Sequence, residues 1–205
     1  MNTALFVIVG YLAGSIPTGY WLVRALRGED IRKTGSGNIG ATNVWRTYGA
    51  RLGVPVMFLD TMKGFVPALL ATIYVSHLAG VLAGGAAMLG HWRPLFLRFE
   101  KGGKAVATCG GAFLGVAPVV GGIGAAVWIL VFVLFRYASV ASIMAALSLP
   151  LIAVALGEPW PVIAFGSIAA VAVILLHRPN ISRLRSGTET RFRFRRPAEP
   201  VKGSS

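Results

Sequence analysis

The sequence predicts an all-α integral membrane protein. Hydrophobic residues fill 55% of the 205 positions and the mean hydropathy is +0.69, well above what a soluble domain with a polar surface needs. The apolar stretches are continuous and helix-compatible, with none of the ten-residue alternation of a membrane barrel. One membrane domain over 1–190 is expected, followed by a basic tail over 191–205.

Uninterrupted apolar segments place helices at 3–26, 54–75, 78–91, 104–118, 119–135, 139–157 and 160–177. The first, "MNTALFVIVGYLAGSIPTGYWLV", has no positive charge before Arg24. A cleaved secretory leader begins with a basic segment, so this piece reads as a retained membrane helix. A full crossing takes about 20 residues, which makes 78–91 and 104–118 short enough to be tilted, broken or re-entrant. About seven crossings are expected, with about five as the lower count.

Charge sets the orientation. With the N-terminus outside, the inside regions are 24–51 with the start of the second helix, 92–104, 136–139 and 178–205. They hold seven, four, one and eight of the 20 Lys and Arg residues, and the outside turns hold none. That is the positive-inside pattern, so the N-terminus is expected outside and the C-terminus in the cytoplasm. The net charge of +13 is then a property of the cytoplasmic face. It suits anionic lipid headgroups and phosphorylated substrates and implies no nucleic acid. The tail "RFRFRRPAEPVKGSS" suits an interfacial segment running into a flexible end.

Three polar cassettes fall on that face. In "GSGNIGATNVWR", Gly35, Gly37 and Gly40 let backbone N–H groups converge, Ser36, Asn38, Thr42 and Asn43 add side-chain donors, and Arg46 can grip a phosphate with two parallel hydrogen bonds. A flexible loop with a helix cap is the simpler account. In "GHWRPLFLRFEKGGKAVAT", Gly102, Gly103 and Lys104 stand just before a helix, where free N–H groups favour an anion. The spacing is not that of a Walker loop, and a plain positive anchor explains it as well. The third cassette joins "RYASVAS" to "HRPNISRLRSGTE". Ser139 and Ser142 lie three apart on one helix face, His177 stands at a helix end and Asn180 follows Pro179. An N-cap would account for Ser139 and a dipole partner for His177. Asp60 and Lys63, three apart, read as a structural pair in preference to a proton relay. Cys109 reads as a small buried hydrophobe.

Together these cassettes resemble the acyl-phosphate-dependent glycerol-3-phosphate acyltransferase family, PlsY, of bacterial phospholipid synthesis. The resemblance covers nearly the whole chain, in order. One departure is Ala105, where the family usually reads G-G-K-G; the added methyl would crowd a backbone approach to phosphate. The resemblance implies transfer of a fatty acyl group from acyl phosphate to the 1-hydroxyl of sn-glycerol 3-phosphate, in the inner membrane and on its cytoplasmic side. No cofactor or obligatory protein partner is implied. Ser36, Arg46 and Lys104 would clamp phosphate, helped by the Gly102 and Gly103 N–H groups. Ser142, His177 and Asn180 would orient the nucleophile and stabilise the oxyanion. Either His177 or the substrate's own phosphate would take the proton, and which loop holds which phosphate stays open.

The His-plus-Asp dyad of other glycerolipid acyltransferases is absent: five positions beyond His77, His91 and His177 stand Leu82, Phe96 and Ser182. No His, Cys and carboxylate group has metal-ligand spacing. Direct, metal-free attack without a covalent acyl-enzyme is therefore expected. A transporter for phosphorylated solutes would need a polar set on the outer side and an inverted repeat, and neither is visible. A non-catalytic lipid-binding scaffold is the other rival.

Overall fold

The computed structural model describes residues 2–192, and among them every regular element is helical. Helix α1 spans Thr3–Gly14, with the Asn2 side chain accepting from the Ala4 N–H. Helix α2 spans Thr18–Arg27. The single helix expected over 3–26 is thus broken, because Pro17 has no N–H and restricts the residue before it. The break is pinned to the next long helix, where Lys63 Nζ donates to the Ile16 carbonyl at 3.0 Å and the Thr18 hydroxyl donates to Asp60. Lys63 also pairs with Asp60 at 2.7 Å, the structural pair expected.

A short amphipathic helix, α3 (Ala41–Tyr48), precedes α4 (Ala50–Tyr74), and Gly49 at φ 86° turns the chain between them. Then come α5 (His77–Trp92), α6 (Val106–Val116), α7 (Pro118–Phe135), α8 (Ala138–Ala155), α9 (Trp160–Leu176) and α10 (Arg178–Arg185). Among the described residues, four segments are long and apolar enough to cross a membrane: α1 with α2, α4, α7 and α8. Counted as one span, helices α9 and α10, bent by 58°, bring the number to five. The two expected spans at 78–91 and 104–118 correspond to α5 and α6, with 16 and 11 residues.

Helix α4 is the central element, packed along α6, α5 and α1. A Cβ on Gly64 would lie 2.0 Å from the Thr108 carbonyl oxygen and one on Gly111 2.0 Å from that of Thr61, so α4 and α6 touch backbone to backbone. In lipid, where apolar burial alone does not drive helices together, such close van der Waals packing does. Phe113 stacks on Phe165 with centroids 4.9 Å apart in the main core cluster, and Cys109 is buried beside it. By contrast, Ile129, Leu130, Val133 and Leu134 of α7 are exposed and suit the bilayer.

Candidate active site

The first cassette closes on itself. The Asn43 side chain accepts from the Ser36 N–H at 2.9 Å and donates to the carbonyls of Asn38 at 2.8 Å and Thr34 at 3.1 Å. Asn43 is thus the staple of the loop. Gly35 sits against it at φ 58°, where any Cβ would collide with Asn43 Oδ1. Asn38 accepts from the Gly40 N–H at 2.8 Å and reaches the Gly102 carbonyl at 3.5 Å, joining the first cassette to the second. Arg32 adds a second join by pairing with both Asp30 and Glu100. Ser36 is exposed on the loop, with Gly37, Thr42 and Arg46 partly buried.

In the second cassette the expected free N–H groups are not free. Gly102 N–H donates to the Trp92 carbonyl and Gly103 N–H to that of His91, each at 2.9 Å. What these glycines supply is closeness: a Cβ on Gly103 would stand 1.8 Å from His91 Nε2. His91 is buried and forms the floor of the loop, a role the sequence reading missed. Its backbone holds Gly103 and the Nε2 edge of its ring abuts the residue before Lys104. Ala105 then takes a left-handed conformation, φ 56°, at the start of α6.

The third cassette converges on a residue to which the sequence reading assigned no role. Glu189 is buried, and its Oε1 accepts from Ser139 Oγ and Asn180 Nδ2, each at 2.8 Å; its Oε2 accepts from Arg183 Nε at 2.7 Å. Lys104 Nζ donates to Asn180 Oδ1 at 2.5 Å, which brings the second and third cassettes together. Asn180 can serve both because it lies within α10, which begins at Arg178 with Pro179 in its first turn. Ser139 is not the N-cap of α8; Tyr137 stands there, with no side-chain cap bond. Ser142 turns away from this group, donating to the Ala138 carbonyl at 2.7 Å and accepting from Trp128 Nε1 at 3.1 Å. His177 Nδ1 bonds the Val173 carbonyl at 2.8 Å. A carbonyl only accepts, so Nδ1 carries the proton and Nε2 of the neutral ring is the basic nitrogen.

Charge follows this geometry. Burial pushes the Glu189 carboxyl up, but hydrogen bonds from Asn180, Ser139 and Arg183 outweigh it and hold the group below its usual range. Burial lowers the Lys104 ammonium to about 8, opposed by Glu189 and reinforced by Arg183, Lys101 and Arg46. Burial also lowers Arg46, again opposed by Glu189. Arg46 donates to the Thr190 carbonyl at 2.8 Å and lies over the Phe192 ring, while its buried Nε has no hydrogen-bond partner among the described residues. Phe192 is buried between Trp45 and Phe132, and its N–H donates to the Arg136 carbonyl at 2.7 Å. The first residues of the expected tail are therefore docked against the site; 193–205 lie outside the described residues.

Residues 4–187 match the family glycerol-3-phosphate acyltransferase. A glycerol-3-phosphate acyltransferase of Desulforudis audaxviator is 46% identical over 94% of this chain and 98% of its own length. One of Geobacter sulfurreducens is 47% identical over 94% and 99%. Among solved structures, the glycerol 3-phosphate form of PlsY, an integral membrane glycerol 3-phosphate acyltransferase, superposes with a TM-score of 0.88 at 42% identity, covering 93% of this chain and 95% of that one. The lysophosphatidic acid form gives 0.86 at 40% identity, covering 94% and 96%. With helices, cassettes and sequence agreeing across nearly the whole length, the chain belongs to the glycerol-3-phosphate acyltransferase family.

Proposed function

We propose that this chain takes a fatty acyl group from acyl phosphate and delivers it to the 1-hydroxyl of sn-glycerol 3-phosphate, releasing lysophosphatidate and inorganic phosphate. The observation that carries the reading is the gathering of Arg46, Lys104 and Arg183 around one buried carboxylate, Glu189. Three cations against one anion leave a surplus of two positive charges, which suits the roughly two negative charges of a phosphate monoester. Helices on either side offer the acyl chain an apolar surround.

The glycerol hydroxyl oxygen attacks the acyl carbonyl carbon, and the bond from that carbon to the phosphate oxygen breaks, the electron pair leaving with phosphate. The hydroxyl proton passes either to His177 Nε2 or to a substrate phosphate. Acyl phosphate is already activated, so positioning and charge stabilisation can supply most of the acceleration, with no covalent acyl-enzyme and no metal. Ser36, Arg46 and Lys104 act as the phosphate clamp, with Asn180 setting the direction of Lys104. Gly35, Gly37, Asn38, Asn43 and Thr42 shape the first loop; Gly102 and Gly103 shape the second. Ser139 acts through Glu189, and Ser142 supports the α7–α8 contact.

The positive-inside distribution supports an N-terminus outside, a C-terminus inside and a site facing the cytoplasm from the inner membrane. Purified enzyme, acyl phosphate and labelled glycerol 3-phosphate, with no thioester donor and no added metal, should yield lysophosphatidate; no product under those conditions ends this reading. Arg46→Ala and Lys104→Ala should each lower kcat/KM at least roughly tenfold, about 1.4 kcal/mol. A Ser205→Cys probe should be labelled only after the cells are permeabilised.

A further inference from the structure

Helix α10 has two faces. The inner face carries Asn180 and Arg183, both bonded to Glu189. The outer face carries Arg178, Ser182 and Arg185, all exposed and spaced 4 and 3 apart, with Ser186 beside them. These four, with Ile181, line an open cavity of about 660 Å³. Among the described residues neither Arg178 nor Arg185 forms an ion pair, whereas Arg183, on the inner face, pairs with Glu189 at 2.7 Å.

What this face meets follows from the helix before it. On α9 the exposed stripe runs Ile168, Val171 and Leu175, at 68%, 58% and 45% exposure. The same alternation of 3 and 4 continues through 178, 182 and 185 across the bend. The stripe is therefore apolar while the chain lies in hydrocarbon and becomes cationic and hydroxylic as it leaves it. That is the depth at which lipid phosphates lie, and basic groups just beyond a membrane helix attract anionic headgroups.

We propose that Arg178, Ser182, Arg185 and Ser186 form a binding site for the phosphate of an anionic phospholipid headgroup, on the outer face of the helix whose inner face holds the Lys104–Asn180–Glu189 network. The arginines match phosphate oxygens through paired N–H donors, and the hydroxyls complete the shell. The ligand is lipid phosphate, because the face continues a lipid-facing stripe; soluble phosphate is the competing source of the same chemistry. A lipid held there clamps α10 from outside and so steadies Asn180.

The test uses the full-length enzyme in nanodiscs of phosphatidylcholine mixed with phosphatidylglycerol, with retained lipid counted by native mass spectrometry. Wild type should retain phosphatidylglycerol selectively. Each of Arg178→Gln and Arg185→Gln should reduce retention roughly fivefold, and Arg178→Lys/Arg185→Lys should keep much of it, which also guards against a fold defect. The charge-matched control Arg27→Gln/Arg51→Gln should behave as wild type. Equal retention by wild type and Arg178→Gln/Arg185→Gln, or an equal loss in the control, overturns the site. Displacement of the lipid by millimolar inorganic phosphate or glycerol 3-phosphate overturns it too, by assigning the site to soluble phosphate.

Discussion

The first and second cassettes are both glycine-rich loops leading into a helix, yet they use glycine for different physical reasons. Around Gly35 the backbone needs a positive φ, and the loop is then held by the amide of Asn43. At Gly103 the need is the missing Cβ, because the His91 ring occupies that space. The left-handed positions of the second loop, Arg98, Phe99 and Ala105, are all filled by residues other than glycine. The first loop is thus shaped from within and the second from beneath, so damage to each should have a different rescue.

The largest expected effect comes from Gly103→Ala. Its Cβ must displace His91 or the loop, and a displacement of about 1 Å at Lys104 should cost roughly a hundredfold in kcat/KM. Adding His91→Ala should restore at least roughly tenfold; no recovery would show that closeness to His91 is not what the glycine serves. Asn43→Ala removes the internal staple and leaves buried carbonyls without donors, so stability should fall by about 2–3 kcal/mol. Thermal unfolding in detergent checks this, and a loss below about 0.5 kcal/mol would remove Asn43 from that role.

The two loops also differ in their response to pH. With Lys104 lowered to about 8 by burial, its charge is present below that value and lost above it. Activity should therefore fall roughly tenfold per unit well above pH 8. In Lys104→Arg this alkaline limb should vanish, even if the absolute rate is lower, because the guanidinium does not deprotonate in that range. An unchanged limb would assign it to another group. The smallest effect is expected from Ala105→Gly. Relief of the left-handed strain should raise stability by up to about 1 kcal/mol, part of it offset by glycine's greater chain entropy. A loss would mean that the buried methyl, 2% exposed, matters more than its backbone angle.

Helix class, membrane residence and the cassettes were legible because they rest on local signals: hydropathy, charge and glycine content. Helix α3 was not, since Gly, Thr and Asn predominate from 34 to 43 and hide the eight-residue helix that Val44, Trp45 and Tyr48 anchor. The break at Pro17 is hidden inside a run of apolar neighbours, and the start of α10 at Arg178 is hidden because it follows directly on the end of α9 at His177. Glu189 and His91 had no local signature. Glu189 acts by meeting Ser139, 50 positions away, and His91 by lying under a loop that returns to it. Ser142 shows the converse: a polar residue at a suggestive spacing whose bonds are all to its own neighbourhood.

The bond from Arg46 to the Thr190 carbonyl spans 144 positions, and it has a consequence for biosynthesis. A membrane protein is threaded into the bilayer from its N-terminus, so Arg46 and the first loop are in place long before their partner emerges from the ribosome. Until residues 189–192 arrive, Ser139, Asn180 and Arg183 lack their common acceptor and the aromatic slot of Trp45 and Phe132 is unfilled. Residues 189–192 are therefore the keystone of assembly: nascent chains stalled short of them would be inserted with the polar groups of Ser139, Asn180 and Arg183 still waiting for Glu189.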